Sequence, residues 1–338
     1  MTDYFKAPID LPAIGPAADQ IYRQVAAIGG SDLRTLLISP SHWRSGKDRS
    51  PSDAMKLGTL VHAAVLEPDE VERRYRVQQT MRRDVCVERN TEGKGWCVSI
   101  DGRATGDVYP TKTAATAACG SWSIDGETWH KTRAEAEASD VDDGREAISS
   151  AMFSQAERMR LAVLDNTEAS ALLDGATVEE AMIWRDDSTR LICRGKADAV
   201  SRTQDGWVMI DLKTVGRAGK ISPENAARWV IDARYDAQLA HYAAGFEACT
   251  KRQITSAAII AVESCPPHGC TVLRLSSAFL ALGRHHRAEA LRRAKIALDG
   301  GRWGYPEAVE VEPPAWALPN EVKQHVEAVA FRGWPVGE

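Results

Sequence analysis

Apolar and polar positions follow two periods along this chain. Short apolar runs bounded by turn residues read as buried strands. They are Val178–Trp184, Leu191–Val200, Trp207–Leu212, Ile254–Val262 and Thr271–Leu275. Elsewhere the apolar residues fall at helical spacing. Leu57–Leu66 reads as a mostly apolar helix stopped by Pro68. Ile148, Met152, Ala156, Met159 and Val163 mark one face of a helix from Glu146 to Leu164, and Asn166–Leu173 continues as a second. Tyr235–Phe246 has a helical composition. Phe279–Leu298 is amphipathic, with a basic face of Arg284, His285, Arg287, Arg292, Arg293 and Lys295. Near the start, Ser31 is placed to cap a helix over Asp32–Leu37. Ser39 followed by Pro40 opens another.

The pattern changes over residues 90–140, which hold an internal repeat. "SIDG" occurs at Ser99–Gly102 and again at Ser123–Gly126. Each copy is followed by an aromatic residue and then an alanine-rich segment, which reads as a hairpin and a short helix. Trp96, Trp122 and Trp129 would form the small core of this α+β insert. The expected organisation is then a flexible leader over 1–20, a main domain from 21–89 and 141–317, the insert, and a peripheral, partly helical tail over 318–338.

Alternating strands and helices place the chain in the α/β class, a mixed sheet flanked by helices. Its 338 residues can bury a large core, and its 44% apolar and 26% charged residues are ordinary for a soluble globular protein. The net charge of −5 argues against a charge-driven coat on nucleic acid, though not against a local basic groove. Seven cysteines are scattered without a C-x-x-C pair, which fits reduced thiols in the cytoplasm. No signal pattern or membrane-length apolar run is present. Cys265, His268 and Cys270 lack a fourth ligand for zinc.

The candidate chemistry gathers on Trp207–Thr214. Side chains alternate across a strand, so Asp211 and Lys213 share a face. The run before it carries Asp198, and Asp205-Gly206 is a hairpin signal between the two. With Asp205-Gly206 as a two-residue loop, Asp198 lies opposite Lys213 and diagonal to Asp211. With a slip of one residue it lies opposite Asp211. In either register two carboxylates crowd one face, a repulsion that a hard divalent cation relieves. Gln238 and Tyr242 are four apart on one helical face. Arg217 and Lys220 follow the strand and are placed to hold phosphates if the site takes nucleic acid.

Taken in order, "GTLVHAAVLEP", "GKAD", "DLKT" and "QLAHY" resemble the His…Gly-x-x-Asp…Asp-x-Lys…Gln-x-x-x-Tyr series of RecB-like nucleases in the PD-(D/E)XK superfamily. The RecE-type exodeoxyribonuclease VIII branch is the most similar. "LLISPSHWR" and "GRWGYPEAVEVEPPAWA" extend the likeness to roughly residues 28–317. The resemblance implies Mg²⁺ or Mn²⁺ held by His62, Asp198, Asp211 and the Leu212 carbonyl. Lys213 would position or deprotonate water, and Gln238 and Tyr242 would hold the strand or the lysine. It implies a further acid before the hairpin, assigned to Glu180 because that residue shares a face with Met182 and Trp184. Trp43 and Arg44 would stand at the DNA entry. It further implies digestion of double-stranded DNA ends, 5′-to-3′ polarity, a ring-shaped homo-oligomer and a single-strand-annealing partner. The competing functions are a structure-specific or defence endonuclease on the same fold and a non-catalytic DNA-binding module.

Overall fold

The computed structural model describes Tyr4, Lys6 and residues 8–46, 51–78, 85–89, 95–100, 103–118, 122–124, 127–129, 143–301, 303–305, 308 and 311. The N-terminal part comprises β1 (Ala13–Ile14), α1 (Pro16–Ile21), β2 (Ile28–Gly29), α2 (Gly30–Ile38), α3 (Pro40–Ser45), α4 (Asp53–Leu66), α5 (Pro68–Arg74) and β3 (Tyr75–Gln78). β4 (Val85–Arg89) lies just before residue 90 and pairs with the first strand of the insert, which contributes β5 (Trp96–Ile100), β6 (Arg103–Tyr109), α6 (Lys112–Ala118), β7 (Trp122–Ile124) and β8 (Glu127–Trp129). The chain then forms β9 (Glu146–Ser149), α7 (Ser150–Asp165), α8 (Thr167–Leu173), β10 (Thr177–Arg185), β11 (Ile192–Thr203) and β12 (Gly206–Val215). It ends in α9 (Pro223–Ala233), α10 (Tyr235–Thr250), β13 (Ile254–Glu263), β14 (Cys270–Leu275) and α11 (Ser277–Leu298).

The main sheet runs β1-β10-β11-β12-β13-β14, with β2 pairing on β11 as well. It is mixed and mostly antiparallel. β12 and β13 are parallel because the crossover through α9 and α10 joins them. Alternation along β12 feeds two cores. Met209 and Val215 face α2, α10 and α11, whereas Val208, Ile210 and Leu212 face α4, α7 and α8. Asp211 and Lys213 take the first of these parities, as the period-two reading requires.

Thr203 pairs with Gly206, so the β11–β12 loop is Gln204-Asp205, one residue earlier than the Asp-Gly signal suggests. Gly206 is there for its conformation. It has φ 124°, and a Cβ would stand 2.5 Å from Thr255 Oγ1. This is the slipped register, and it brings Asp198 level with Asp211.

Several local expectations change. Glu146–Ser149 is a strand, parallel to β3, and α7 begins after it with Ser149 as its cap. Gly29 rather than Ser31 caps α2, its N–H donating to Asp32 Oδ2 at 2.7 Å. Ser39 does cap α3, with Pro40 in the first turn. The described part of the expected leader is built into the fold: β1 pairs with β10, Ala18 is buried, and the Tyr4 ring packs edge-on against Trp43 at 5.3 Å. In the insert, β5, β6 and α6 match the first hairpin-and-helix copy, and β7 and β8 form the second hairpin. The Trp122 and Trp129 side chains, the second copy's helix and the expected tail helix lie outside the described residues.

His241 shows how a buried polar group is held near the site. Its Nε2–H donates to the carbonyls of Ile28 and Arg194 at 3.2 and 3.1 Å, leaving Nδ1 buried without a partner. Burial, with Arg287 adding to it, depresses its pKa to about 3. The unfolded chain therefore takes up the proton first as pH falls below about 6.5. Between pH 7 and pH 5 this one residue should cost about 2 kcal/mol of stability. His241→Gln keeps a donor and cannot charge. In urea unfolding, its stability relative to wild type should improve by about that amount on going from pH 7 to pH 5. An offset that does not change with pH would contradict the depressed pKa.

Candidate metal centre

The site lies where β11 and β12 part. Their ladder ends at Ala199–Ile210, and the Leu212 N–H turns instead to the Asp198 side chain, donating to Oδ2 at 2.7 Å. That bond turns Asp198 into the fork. α4 lies over it because Gly58 permits close approach, since a Cβ there would meet Thr214 Oγ1 at 3.3 Å. One turn later His62 points its Nδ1 at Asp198 Oδ2, 3.6 Å away. Across the fork, Lys213 Nζ is 2.6 Å from Asp211 Oδ2. From α10, the Gln238 amide donates to the Tyr242 hydroxyl at 2.8 Å.

The charges are strongly perturbed. Burial pushes the Asp211 carboxyl up to about 6, and Lys213 opposes this while Asp198 reinforces it. Burial also raises Asp198, against Lys213 and the Leu212 N–H. For Lys213 burial acts downward, but Asp211 and Asp198 outweigh it and leave the ammonium above its usual range. Burial, with Lys213 next, lowers His62 to about 4, so its imidazole is neutral at pH 7, the form that ligates metals. The Tyr242 hydroxyl is pushed well above its usual value by burial and then by Asp211 and Asp198.

Two acids depart from the expectation. Ligand atoms of His62, Glu179 and Asp198 lie within 4.8 Å of one another, and neither Glu180 nor Asp211 is among them, Asp211 being paired with Lys213. Val178 pairs with Ala199 and Glu180 with Ala197, so Glu179 is level with Asp198. Glu179 has φ 51°, which breaks the alternation used to select Glu180. Glu180 lies by Gly15, with its carboxyl raised by burial. The Glu179 carboxyl is raised to about 6 by burial and then by Asp198. Lys196 sits 3.4 Å from Glu179 and 3.5 Å from Asp19 of α1. The sequence signal for Glu179 was its equal distance with Asp198 from the β10–β11 turn.

The residues fit a divalent cation. The donor set is one neutral imidazole and clustered carboxylates, and both Asp211 oxygens are buried without a well-formed hydrogen bond. Lys213 pairs with Asp211 Oδ2, and a divalent cation beside the clustered carboxylates would relieve the repulsion and burial cost that one ammonium leaves.

Residues 31–310 match the model of a family described as a PDDEXK-like domain of unknown function (DUF3799). The chain belongs to this family. Its fold is similar to that of a candidate exonuclease from Eubacterium rectale, with a TM-score of 0.50 at 10% identity, covering 93% of this chain and 98% of the other. A phage-related exonuclease from Haemophilus somnus 129PT is matched at 14% identity with a TM-score of 0.26, over 50% of this chain and 89% of that one. No curated protein matches the chain.

The expected DNA contacts of this PDDEXK-like chain divide. Trp43 is buried, parallel to the Trp303 ring at 6.4 Å, so it is core and cannot stack a base. Arg44 is exposed and lies over the Trp303 ring at 5.2 Å. Arg217 and Lys220 line a cleft together with Arg34, which the sequence reading passed over. The expected basic face of α11 is largely spoken for: Arg287 pairs with Asp186, Arg292 and Arg293 with Glu289, and Lys295 with Asp299. His268 is buried, donating from Nδ1 to the Glu263 carbonyl and accepting from Arg158, so both ring nitrogens are used and zinc is disfavoured. Among the described residues no helix is long and apolar enough to cross a membrane.

Proposed function

We propose that this protein is a divalent-metal-dependent nuclease that digests linear double-stranded DNA from its ends. The observation that carries the reading is the cluster at the β11–β12 fork, where His62, Glu179 and Asp198 converge beside the buried Asp211–Lys213 ion pair. The fold likeness to a candidate exonuclease supports the choice of ends over internal sites. His62, Asp198, Glu179 and Asp211 would hold Mg²⁺ or Mn²⁺, with the Leu212 carbonyl at its edge. Such an ion supplies Lewis acidity and neutralises the charge that builds on the phosphorus oxygens. Lys213, fixed by Asp211, orients the attacking water and stabilises the developing negative charge. Water adds to phosphorus and gives up a proton to solvent, the bridging P–O bond breaks, and the leaving oxygen takes a proton from solvent. Gln238 and Tyr242 brace the wall against which the strand lies. From the RecE-type likeness we carry over 5′-to-3′ polarity, a ring-shaped homo-oligomer, a single-strand-annealing partner and a role in phage-type recombination in a bacterial cytoplasm.

The test is digestion of an end-labelled linear duplex with Mg²⁺ against EDTA, with a covalently closed circle beside it. Mononucleotide release from the linear DNA alone, abolished by EDTA, is expected. Linearisation of the circle would instead indicate an endonuclease, and inertness towards both with Mg²⁺ or Mn²⁺ would overturn the nuclease reading.

A further inference from the structure

Two helices meet at a single residue beside the reaction site. Arg234 ends α9 and begins α10 in the left-handed conformation, at φ 60° and ψ 32°. Its N–H closes α9 on the carbonyls of Val230 and Ile231. Glycine takes this conformation without strain, and an arginine does not. A strained residue that keeps a long side chain at such a position invites the question of what that side chain holds.

Arg234 does not line the cleft of Arg217 and Lys220. It reaches α11 instead, where its Nη1 lies 3.1 Å from Nε2 and 3.4 Å from Nδ1 of His286. Closeness to both nitrogens means that the guanidinium lies on the imidazole and not on one lone pair. The same ring donates from Nδ1 to Asp236 Oδ2 at 2.6 Å. The Asp236 side chain is fully buried and its Oδ1 has no hydrogen bond. Its charge is therefore balanced through this ring by Arg234, and by the first turn of α10 in which it lies. α11 comes this close because Gly283, one turn before His286, has no side chain. A Cβ there would run into the Asp236 carbonyl.

Both neighbours of Tyr235 are thus fixed to one imidazole. The Tyr235 ring lies 5.3 Å from Lys213 Nζ and 5.0 Å, edge to face, from the Trp229 ring of α9. Burial raises its hydroxyl above the usual value, and Lys213 acts against that. Lys213 is accordingly held by Asp211 at 2.6 Å and faced by an aromatic ring whose place is set by the elbow.

We propose that His286 is a positioning residue: by holding Arg234 and Asp236 it fixes the α9–α10 elbow and sets the Tyr235 ring against Lys213. It acts through Tyr235 and not on the reacting atoms. The inference rests on the nuclease reading of Lys213, and it makes α11 a working part of the site.

Arg234→Gly is the discriminating variant. It removes the guanidinium but relaxes the backbone, so its Tm should stay within about two degrees of wild type. On end-labelled linear duplex with Mg²⁺, kcat should fall about tenfold while KM stays within about twofold, because the ring shifts and no substrate contact is lost. His286→Ala should show the same kcat loss. The double variant Arg234→Gly/His286→Ala should lose no more than either alone, since both act through one ring. Arg284→Ala, an exposed change on the same helix, should cleave as wild type does. The elbow itself is read in EDTA without DNA, by fluorine NMR of protein labelled with fluorotyrosine. The Tyr235 line, assigned by its loss in Tyr235→Phe, should shift or broaden in Arg234→Gly and in His286→Ala but not in Arg284→Ala. A Tyr235 line unmoved by both variants, a wild-type kcat in Arg234→Gly, or losses that add in the double variant would overturn the proposal. Wild type that cleaves no DNA, with the Tyr235 line moving as expected, would instead overturn the nuclease reading and leave the elbow standing.

Discussion

Asp211→Asn should lower DNA cleavage at least a thousandfold while the protein stays folded and melts no lower than wild type. The rate loss follows from position. Asp211 is fully buried, 2.6 Å from Lys213, and neither of its oxygens has a well-formed hydrogen bond. Asparagine keeps the shape but removes the charge, and it turns an N–H₂ group toward a place that needs acceptors. Losing one preorganised charge at a phosphoryl-transfer site typically costs about 10²–10³ in rate, and here the same carboxylate also fixes the lysine. The stability side runs the other way. The folded protein raises this carboxyl to about 6, so it binds the proton more tightly than the unfolded chain does. That contribution is present at low pH and is lost as pH rises from about 4 to about 6. At pH 7 the folded state therefore carries an ion that its surroundings, with Lys213 already counted, disfavour by roughly 3 kcal/mol, to be offset by a bound cation. A neutral isostere removes that burden, as expected where a site sacrifices stability for chemistry. Gel assay of an end-labelled duplex and thermal melting check both halves. Cleavage near the wild-type rate, or a drop in Tm of more than a few degrees, would show that Asp211 is a structural ion-pair partner.

Much of the fold was legible because its signals are local. The runs that became β10 to β14 are short and β-branched, and their flanking helices carry regular stripes. Asp211 and Lys213 could be placed on one face by counting by two, and Gln238 and Tyr242 by counting by four. What was not legible depended on departures from those periods. Glu179 needed its left-handed backbone to turn toward Asp198. The hairpin register needed the Gln204-Asp205 loop, although Asp-Gly is the stronger signal, because Gly206 is used for its φ of 124° and its closeness to Thr255 and not as a loop residue. Trp43 read as surface because its helix is short and polar around it. Its burial comes from Tyr4 and Trp303, far away in the chain. Arg34 joined the cleft only through the packing of α2 against α10. Residues 1–20 looked like a leader by composition, yet their described part delivers an edge strand and the Asp19 that meets Lys196.

Gly195→Ala should also be severe, although the change adds one methyl group and touches no ligand. Gly195 is the first residue of the Gly-x-x-Asp series, and its lack of a side chain is used by Tyr242. A Cβ at Gly195 would stand 2.9 Å from Tyr242 Cδ1 and 3.5 Å from Trp184. Gly30 is equally close to the same edge of the ring, with a Cβ there standing 2.8 Å from Tyr242 Cε1. The β2–β11 ladder that pairs Gly29 with Arg194 sets the two glycines side by side, so two bare backbones, one on β11 and one at the start of α2, form the clamp that seats Tyr242. An added methyl group must displace either the ring or the strand that carries Asp198 three residues later. Overpacking of this kind costs about 1–3 kcal/mol in a close-packed core. The displaced ring loses the Gln238 hydrogen bond at 2.8 Å, and a shift near 1 Å at Asp198 can cost about a hundredfold in rate. We therefore expect Gly195→Ala to melt lower by several degrees and to cleave DNA at about a hundredth of the wild-type rate or less. A double-mutant cycle separates the clamp from a generic intolerance of alanine in the strand. Gly195→Ala/Tyr242→Leu replaces the ring by a smaller side chain and should recover at least half of the lost stability, a coupling of about 1 kcal/mol or more. Activity should return only in part, because Tyr242 itself braces the site. Additive losses in the double variant would mean that the glycine serves the strand alone, with no part in holding Tyr242 against the metal centre.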